Sequence, residues 1–451
     1  QRQALFANLQ FGYKNFLYLD LTGRNDWSST FAFTPTKNSG YFYYSAGLNL
    51  VLSDAFTMPA AVSFSKIRVS YARVGNDVPA YITNPAEYKK QGNINAQFAT
   101  FNTIVPLPGT YLRPEDNRSF EVGTEWRFAH DRAGIDLTYY KNNNYRQYIE
   151  INAPPGSSYT KYYLNLGNIQ NTGLEAVVFA VPVQTARLKW TTTVNFATNK
   201  NKVLSLSDPS VSGASSANYF VLTLAGVNMY QSEIKEGGSW GDIYGYAFQR
   251  AKDGSILVDA TGAPKKTADV AATKVGNPNP DFTLGWNNSV DIKQFTISAL
   301  IDGRFGGKVM SITQAVLDQL GASKASADAR DAGGVSVNAT VSTTGQPFKG
   351  LIPADVWYGG VGGRAGISEY YMYDATAVRL RELAVGYKLP LHVKGISDVK
   401  FSLVARNLFF ITKKAPFDPE VSMATNNALQ GIETFGIPST RSIGASLKIG
   451  F

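Results

Sequence analysis

Six charged residues in strand-like segments are the main candidates for chemistry in this sequence: Arg379, Arg381, Glu382, Asp302, Arg304 and Arg406. The run RLRE, residues 379–382, cannot place all its charged side chains on one face of a regular strand. Closely spaced opposite charges in a poorly solvated place satisfy one another, or they hold a charged ligand. We favour the structural role, in which ion pairs hold neighbouring parts of the protein together, and keep ligand binding as the alternative.

Aromatic side chains in segments predicted as long loops are the second group of candidates. An aromatic ring can stack on a sugar ring or a peptide side chain, and a hydroxyl adds a polar contact. A belt of rings at a membrane surface, or packing against a partner protein, would use the same residue types. The leading candidates are Tyr159, Tyr162, Trp240, Trp357, Tyr358 and Tyr370.

Patterns for catalysis and for resident metals are missing from the sequence. It has no cysteine, two histidines far apart (His130 and His392), and neither G-x-S-x-G nor HExxH. The formal charge of +9 without a long basic run suits a mixed surface or an anionic lipopolysaccharide leaflet. We therefore predict that the protein is not an enzyme, holds no cofactor and binds no nucleic acid.

The elements that position these residues are predicted to be β-strands. Aromatic residues make up 13% of the chain and charged residues 17%, with 41 glycines, which suits aromatic-rich strands separated by glycine turns. No run approaches the roughly 18 apolar residues that a membrane-spanning helix needs. A soluble sandwich would expose the polar face of each strand, whereas a membrane barrel would enclose it and turn the apolar face to lipid. Apolar and polar residues alternate in residues 5–13, 118–128, 186–196, 295–302 and 443–451.

Connection lengths favour the barrel, because short connections such as residues 130–133 and 291–294 alternate with long ones. Outer-membrane barrels have short periplasmic turns and long extracellular loops. Within the long segments, a hairpin turning at Asp253–Gly254 and short helices in SITQAVLDQLG and ASADARDAGG are predicted. The predicted long loops cover residues 24–40, 75–117, 151–171, 200–280, 306–373 and 407–438.

The predicted fold class is thus all-β: a transmembrane antiparallel β-barrel with about thirteen strands in this chain and long extracellular loops. With the short turns in the periplasm, the first and last strands both run downward. Two neighbouring strands that point the same way cannot close an antiparallel barrel. An odd number of upstream strands is therefore expected outside this sequence, and about nine more would complete the 22 strands of plugged outer-membrane transporters.

Eight sequence blocks follow one another along the chain. They are LTGRNDWSSTF (21–31), FSKIRVSYARVGND (64–77), LRPEDNRSFEVGTEWRF (112–128), LNLGNIQNTGLEAVV (164–178), VGNPNPDFTLGWNNSV (275–290), YDATAVRLRELAVGYKLP (373–390), ARNLFFITK (405–413) and DPEVS (418–422). In this order they resemble the SusC/RagA family of TonB-dependent outer-membrane transporters of the Bacteroidetes. The match spans nearly the whole chain, and the shared order makes it more specific than any single motif.

The resemblance implies that residues 1–451 are the C-terminal part of a barrel of about 22 strands that imports oligosaccharides or peptides. A SusD-like surface lipoprotein would cover the extracellular mouth. TonB would supply energy through an N-terminal plug that has no counterpart in this sequence. The charged candidates would face the lumen, where they would hold the plug or the substrate, and the barrel would sit among outer-membrane lipid and lipopolysaccharide.

The last strand also has a role in this resemblance. Phe451, with the alternating residues before it, resembles the sorting signal that the barrel-assembly machinery reads, and the free edge of the strand would pair with the first strand. A plain last strand with an aromatic residue at the membrane interface is the alternative.

We predict an outer-membrane nutrient importer on this basis. Two alternatives stay open: a passive channel, and a structural or scaffolding barrel within a larger surface complex. The loops contain no motif that identifies a substrate.

Overall fold

The structure, a computed structural model, describes residues 1–83, 88–90, 99–101, 104–107, 109–152, 161–206, 221–222, 227–390, 396–423 and 430–450. Two of the predicted site residues, Tyr159 and Phe451, lie outside these ranges. The chain divides into two compact units. Unit 1 comprises Gln1–Pro182, Thr191–Phe220 and Lys235–Gly238, and unit 2 comprises Val183–Trp190, Val221–Ile234 and Ser239–Phe451.

Unit 1 is built from long strands joined by short turns on one side and long connections on the other. Its strands are β1 (Arg2–Tyr13), β2 (Leu17–Ser28), β3 (Tyr41–Val51), β4 (Val62–Asn76), β5 (Tyr88–Lys90), β6 (Ala99–Phe101), β7 (Ile104–Pro106), β8 (Glu115–Phe128), β9 (Ala133–Asn152), β10 (Lys161–Gln184) and β11 (Leu188–Ser205). The last two residues of β10 and the first three of β11 are counted in unit 2. The main sheet has the order β1-β2-β3-β4-β8-β9-β10-β11, and the pairs from β1 to β10 are antiparallel. Two single-turn helices, α1 (Thr36–Ser39) and α2 (Leu52–Ala55), lie in connections.

The two faces of the unit 1 sheet differ in chemistry. Tyr71 lies opposite Phe120, and Val122 lies opposite Tyr139, so these side chains share one face, where the three aromatic rings are exposed. We call this the exposed apolar face of unit 1. The opposite face carries polar contacts, such as the ion pair of 2.6 Å between Arg68 Nη2 and Asp136 Oδ1. The alternation predicted from the sequence is therefore present in the structure.

Unit 2 contains a second run of long strands and a set of short elements. Its strands are β12 (Val221–Leu222), β13 (Tyr230–Glu233), β14 (Asp242–Gly245), β15 (Ile256–Val258), β16 (Lys274–Gly276), β17 (Phe282–Ile292), β18 (Phe295–Phe305), β19 (Lys308–Ser311), β20 (Ala339–Val341), β21 (Met372–Asp374), β22 (Ala377–Leu389), β23 (Asp398–Lys413), β24 (Ile432–Glu433) and β25 (Ser442–Gly450). The long strands have the order β17-β18-β22-β23-β25 and are all antiparallel.

The faces of the long unit 2 strands follow the same scheme. Ile297, Val385 and Leu403 lie side by side across β18, β22 and β23, and all three are exposed. Charged residues such as Asp302 occupy the other face, which we call the polar face of unit 2. None of the helices in the described part of the chain has the length and apolar character needed to cross a bilayer.

Long connections of unit 2 pack into a folded module, which we define as residues 227–234, 239–281 and 306–376. Three helices, α3 (Ile312–Gln319), α4 (Lys324–Asp331) and α5 (Ala354–Val361), pack there with short strands such as β13-β14 and β15-β20. Met229, Ile312, Trp357 and Tyr371 belong to its buried apolar core. These long connections therefore form a small folded domain with its own hydrophobic core, and are not extended, solvent-exposed loops.

The strand count and several loop predictions are confirmed. Among the described residues, eight strands follow one another in the main order of unit 1 and five in unit 2, in agreement with the prediction of about thirteen. The short strand β7, paired with β10, lies outside this order. The two predicted loop helices are α3 and α4, and Arg250 bridges Ile256 across the predicted hairpin, where Gly254 has φ 86°.

The long loop predicted at residues 151–171 is wrong over most of its length. Strand β9 continues to Asn152 and β10 begins at Lys161. The Asn- and Gly-rich part of β10 shows no apolar alternation, but its amides pair across the ladder: Asn143 Nδ2 donates to Asn168 Oδ1 at 2.8 Å. Side-chain hydrogen bonds between neighbouring strands thus replace the apolar pattern that sequence reasoning relies on.

Candidate functional site

An irregularity in β22 brings the predicted charged run onto the polar face of unit 2. Leu380 lies opposite Ile301 of β18. Glu382 lies opposite Leu300, the residue directly before Ile301 in β18. Because no residue of β18 lies between these two, Arg381 has no opposite residue and is an extra residue in β22. A β-bulge of this kind shifts the alternation of a strand. It therefore allows Arg381 and Glu382 to bind partners on the same face although they are adjacent in sequence.

Two arginines of β22 join the sheet to the segment that follows β23. Arg381 Nη2 donates to Asp302 Oδ2 at 2.6 Å and to Glu420 Oε1 at 2.8 Å. Arg379 Nη2 donates to Asp418 Oδ1 at 2.9 Å and forms an ion pair with Glu420 Oε2 at 3.0 Å. Glu420 is shared by both arginines, so the segment DPE (418–420) is fixed against β22. We call these five residues the β22 ion-pair network.

Burial makes this network more than a set of surface contacts. The side chain of Arg379 is 4% exposed, and its guanidinium lies 4.5 Å from the centre of the Phe410 ring. Burial alone would raise the pKa of Asp418, but a hydrogen bond from Ser439, the backbone N–H of Glu420 and the charge of Arg379 together lower that pKa. The pair is thus charged and closed to water on most sides.

The remaining charged candidates lie outside the network. Arg406 Nε donates to Glu382 Oε2 at 2.8 Å, and this pair is more exposed. Arg304 donates to the carbonyl oxygen of Pro278, while its Nε has no hydrogen-bond partner within the described ranges. The structure therefore brings together Asp302, Arg379 and Arg381, forms a separate pair from Glu382 and Arg406, and places Arg304 with a backbone group.

Sequence reasoning missed three partners of the network: Asp418, Glu420 and Asn407. Asn407 has φ 50° and accepts a hydrogen bond of 3.3 Å from Arg381 Nη1. The signal for the two acids was the DPE run itself, which was used only as part of the resemblance. Each carboxylate of the network faces a guanidinium, which is the arrangement that the favoured structural role predicts. That role, and contact of these residues with a plug or a substrate, stay predictions. Among the described residues, no group of His, Asp or Glu is placed to hold a metal ion.

The aromatic candidates are distributed between the interior and the surface of their units. Trp357 is 1% exposed, and its ring lies 5.9 Å from the rings of both Phe248 and Tyr370. Tyr358 is also buried in the module core, whereas Tyr370 lies at its surface. Burial raises the pKa of Tyr358 above its ordinary value, so the phenol stays neutral. In this arrangement Trp357 and Tyr358 pack the module from within.

Tyr162 and Trp240 are placed differently from the module core. Tyr162 is buried in β10 of unit 1, beside Val105 of β7 in the parallel pair. Trp240 is half-buried, and its carbonyl oxygen accepts a hydrogen bond of 3.3 Å from Asn279 Nδ2. Contact between these aromatic residues and a ligand or a lid protein stays a prediction.

Comparison with known proteins identifies the family. The family model described as TonB dependent receptor-like, beta-barrel matches residues 1–304. The chain belongs to this TonB-dependent receptor family. TonB-dependent receptor P3 of Formosa agariphila is 24% identical over 99% of this chain and 45% of its own length. TonB-dependent receptor SusC of Bacteroides thetaiotaomicron is 23% identical over 69% of this chain and 30% of its own length.

Solved structures agree with the family on the fold. A structure of the RagAB peptide importer in the closed-closed state is similar to this TonB-dependent receptor chain, with a TM-score of 0.73 and 19% identity. The match covers 100% of this chain and 48% of the RagAB chain. The chain thus spans about half the length of TonB-dependent receptor P3 and of the matched RagAB chain. Membership of the family confirms the resemblance to SusC and RagA, the β-barrel fold class and the outer-membrane location, and it classes the protein with receptors and transporters rather than enzymes.

Proposed function

We propose that this TonB-dependent receptor chain forms part of a nutrient importer that moves oligosaccharides or peptides across the outer membrane. The observation that carries the proposal is the family match over residues 1–304. The similarity to SusC over 69% of the chain supports it, because SusC is a relative within the TonB-dependent receptors. Energy would come from TonB through an N-terminal plug domain, and a SusD-like lipoprotein would act as partner.

The loop module offers a physical basis for partner and substrate contact. A flexible loop loses conformational entropy when it binds, whereas a module with its own apolar core has already lost most of it. Tyr370 and Trp240 lie partly at the module surface and are the aromatic candidates best placed for contact with a lid or a ligand. The buried rings of Trp357 and Tyr358 would hold that surface in shape.

Substrate uptake in cells of the source organism tests the proposal. The gene that carries this chain is deleted, and uptake of labelled oligosaccharide and peptide pools is measured with and without a protonophore, which removes the energy that TonB transmits. We expect the deletion to reduce uptake of one substrate class only, and the protonophore to abolish that uptake in unaltered cells. When the protein is purified from unaltered cells, we expect a surface lipoprotein to co-purify with it.

Two results would replace the proposal with another. Uptake that persists with the protonophore, together with steady conductance of the purified protein in a lipid bilayer, would indicate a passive channel. Unchanged uptake of every pool, with loss of a surface complex, would indicate a scaffolding barrel.

A further inference from the structure

A cluster of arginines lies on the exposed apolar face of unit 1, at the strand ends next to the long connections. Arg73 follows Tyr71 by two positions and Arg118 precedes Phe120 by two, and the two arginines lie opposite each other across β4 and β8. Because side chains repeat with period two along a strand, both arginines share the face of the exposed rings. The cluster therefore lies at the edge of a surface that the family turns to lipid.

One buried aspartate sits at the centre of this cluster. Asp116, whose side chain is 3% exposed, accepts from Arg73 Nε at 2.8 Å, Arg118 Nη2 at 2.9 Å and Arg146 Nη2 at 2.9 Å. The three arginines and Asp116 carry a net charge of +2, and the neighbouring carboxylate of Glu115 reduces it to +1. The excess of positive over negative charge would favour a further anion from outside the cluster.

The backbone holds two arginines at this place. Arg146 has φ 56°, a conformation that non-glycine residues rarely adopt and that concentrates at functional positions. Asn165 of β10 donates to the carbonyl oxygen of Arg146 at 2.8 Å and to that of Arg113 at 2.9 Å. Its Oδ1 also accepts from the backbone N–H of Arg113 at 2.6 Å. The side chain of Arg113 is exposed, and its guanidinium has no ion pair within the described ranges.

A cavity of about 210 Å³ opens beside the cluster. Its lining includes three arginines (Arg73, Arg113 and Arg146), two carboxylates (Glu115 and Asp116) and Phe42, whose exposed ring belongs to the apolar face. Gly75 keeps room there, because a Cβ atom at this position would come within 2.5 Å of the Tyr41 ring. The cavity thus joins guanidinium groups to an apolar rim, which matches a molecule with an anionic head and an acyl tail.

We propose that this cluster is a binding site for the phosphate group of an anionic outer-leaflet glycolipid. Arginine binds phosphate through several parallel N–H···O bonds, and a basic pocket beside an acyl-facing surface is the usual recognition device for phosphorylated lipids. The phosphate would accept from Arg146, which lines the cavity, and from Arg118, which lies outside the lining but contacts the same oxygen of Asp116 as Arg146. Phe42 and Tyr71 would contact acyl chains. The site is independent of the proposed import activity.

Native mass spectrometry of the detergent-purified protein tests the assignment, in the presence of EDTA so that divalent cations cannot bridge. Bis-phosphorylated lipid A, its dephosphorylated form and inorganic phosphate are the probes. We expect the bis-phosphorylated lipid to bind at least about tenfold more tightly than the dephosphorylated form, the effect of losing one charge-assisted contact. This comparison uses the unaltered protein, so it decides the question even if a variant fails to fold.

Two matched variants on β8 locate the site. Arg118→Gln should weaken binding of the bis-phosphorylated lipid about tenfold. Arg127→Gln should leave it unchanged, because Arg127 lies at the other end of β8, pairs with Glu125 at 2.7 Å and is 42% exposed, against 43% for Arg118. Equal binding by both variants, or equal binding of the two lipids, would overturn the site. Displacement of the lipid by an equal concentration of inorganic phosphate would overturn its assignment to a lipid.

Discussion

At the scale of single residues, burial distinguishes the ion pairs that stabilise this protein from surface ion pairs that contribute little to its stability. Arg379 is enclosed by Asp418, Glu420 and the Phe410 ring, whereas the side chain of Arg406 is 63% exposed. Removing one partner of a buried pair leaves an uncompensated charge out of water, while an exposed pair is already screened. These two arginines should therefore respond very differently to substitution.

Arg379→Gln should lower the free energy of unfolding by about 3 kcal/mol, because it leaves Asp418 buried without its guanidinium. Urea-induced unfolding in detergent, followed by tryptophan fluorescence, measures the change. The control is Arg406→Gln, for which we expect a loss of less than about 1 kcal/mol. Equal losses for both variants would show that burial does not distinguish the two pairs.

Asp374 gives a pH-dependent contribution outside the long strands. Hydrogen bonds from Thr376 and the nearby Lys414 ammonium hold its pKa at about 2, below the ordinary 3.8. A carboxyl with a depressed folded-state pKa stabilises the fold above its unfolded-state value and loses that contribution as the pH falls through the folded-state value. The stabilisation should therefore be complete above about pH 4 and disappear towards pH 2.

Asp374→Asn removes this contribution at every pH. Compared with the unaltered protein, we expect a deficit of about 1–2 kcal/mol near pH 6, discounted for the partial exposure of the carboxylate. The deficit should shrink towards zero near pH 2. Unfolding curves at both pH values measure it, and a deficit that does not change with pH would assign the loss to shape rather than charge.

At the scale of elements, regular alternation was predictable and its interruptions were not. The strands around residues 118–128 and 295–302 follow from period-two patterns, and the structure extends them to β8 and β18. The bulge at Arg381 could not be predicted, because it depends on how β18 and β23 pair with β22. Asp418 and Glu420 were missed for a related reason, because each lies far in sequence from its arginine partner. The separation is 39 residues for Arg379–Asp418 and also for Arg381–Glu420.

The loop module shows a second limit of sequence reasoning at this scale. Aromatic residues in predicted loops suggested surface contacts, yet Trp357 packs between Phe248 and Tyr370 in a shared core. Segments far apart in sequence form this core, so no local sequence pattern predicts it. Whether a loop aromatic residue faces solvent depends on the packing of several loops at once.

Trp357→Ala should unfold the module while leaving the long strands intact. A large-to-small change at a site that is 1% exposed costs about 3–5 kcal/mol, which is a large share of what a small core supplies. Limited proteolysis should then cut within residues 239–281 and 306–376, with the long strands still protected. Leu320→Ala, at an exposed position after α3, is the control and should leave the cleavage pattern unchanged.

At the scale of the whole molecule, the location in the outer membrane requires that one strand face contacts lipid. On β4, Val69 lies opposite Val122 on the exposed apolar face, and the next residue, Ser70, lies opposite Glu121. An arginine at position 69 would enter hydrocarbon, at a cost of about 2–4 kcal/mol near mid-depth. An arginine at position 70 would meet the carboxylate of Glu121 instead.

Val69→Arg should therefore reduce the amount of folded protein in the outer membrane, while Ser70→Arg should leave it close to normal. Heat-modifiable migration on gels and membrane fractionation measure both variants in the same strain. The two substitutions add the same side chain at adjacent positions in the middle of one strand, so general effects of an extra arginine cancel in the comparison. If Ser70→Arg were the more harmful variant, the lipid-facing side of β4 would be the opposite one, and the arginine cluster around Asp116 would then point away from the membrane.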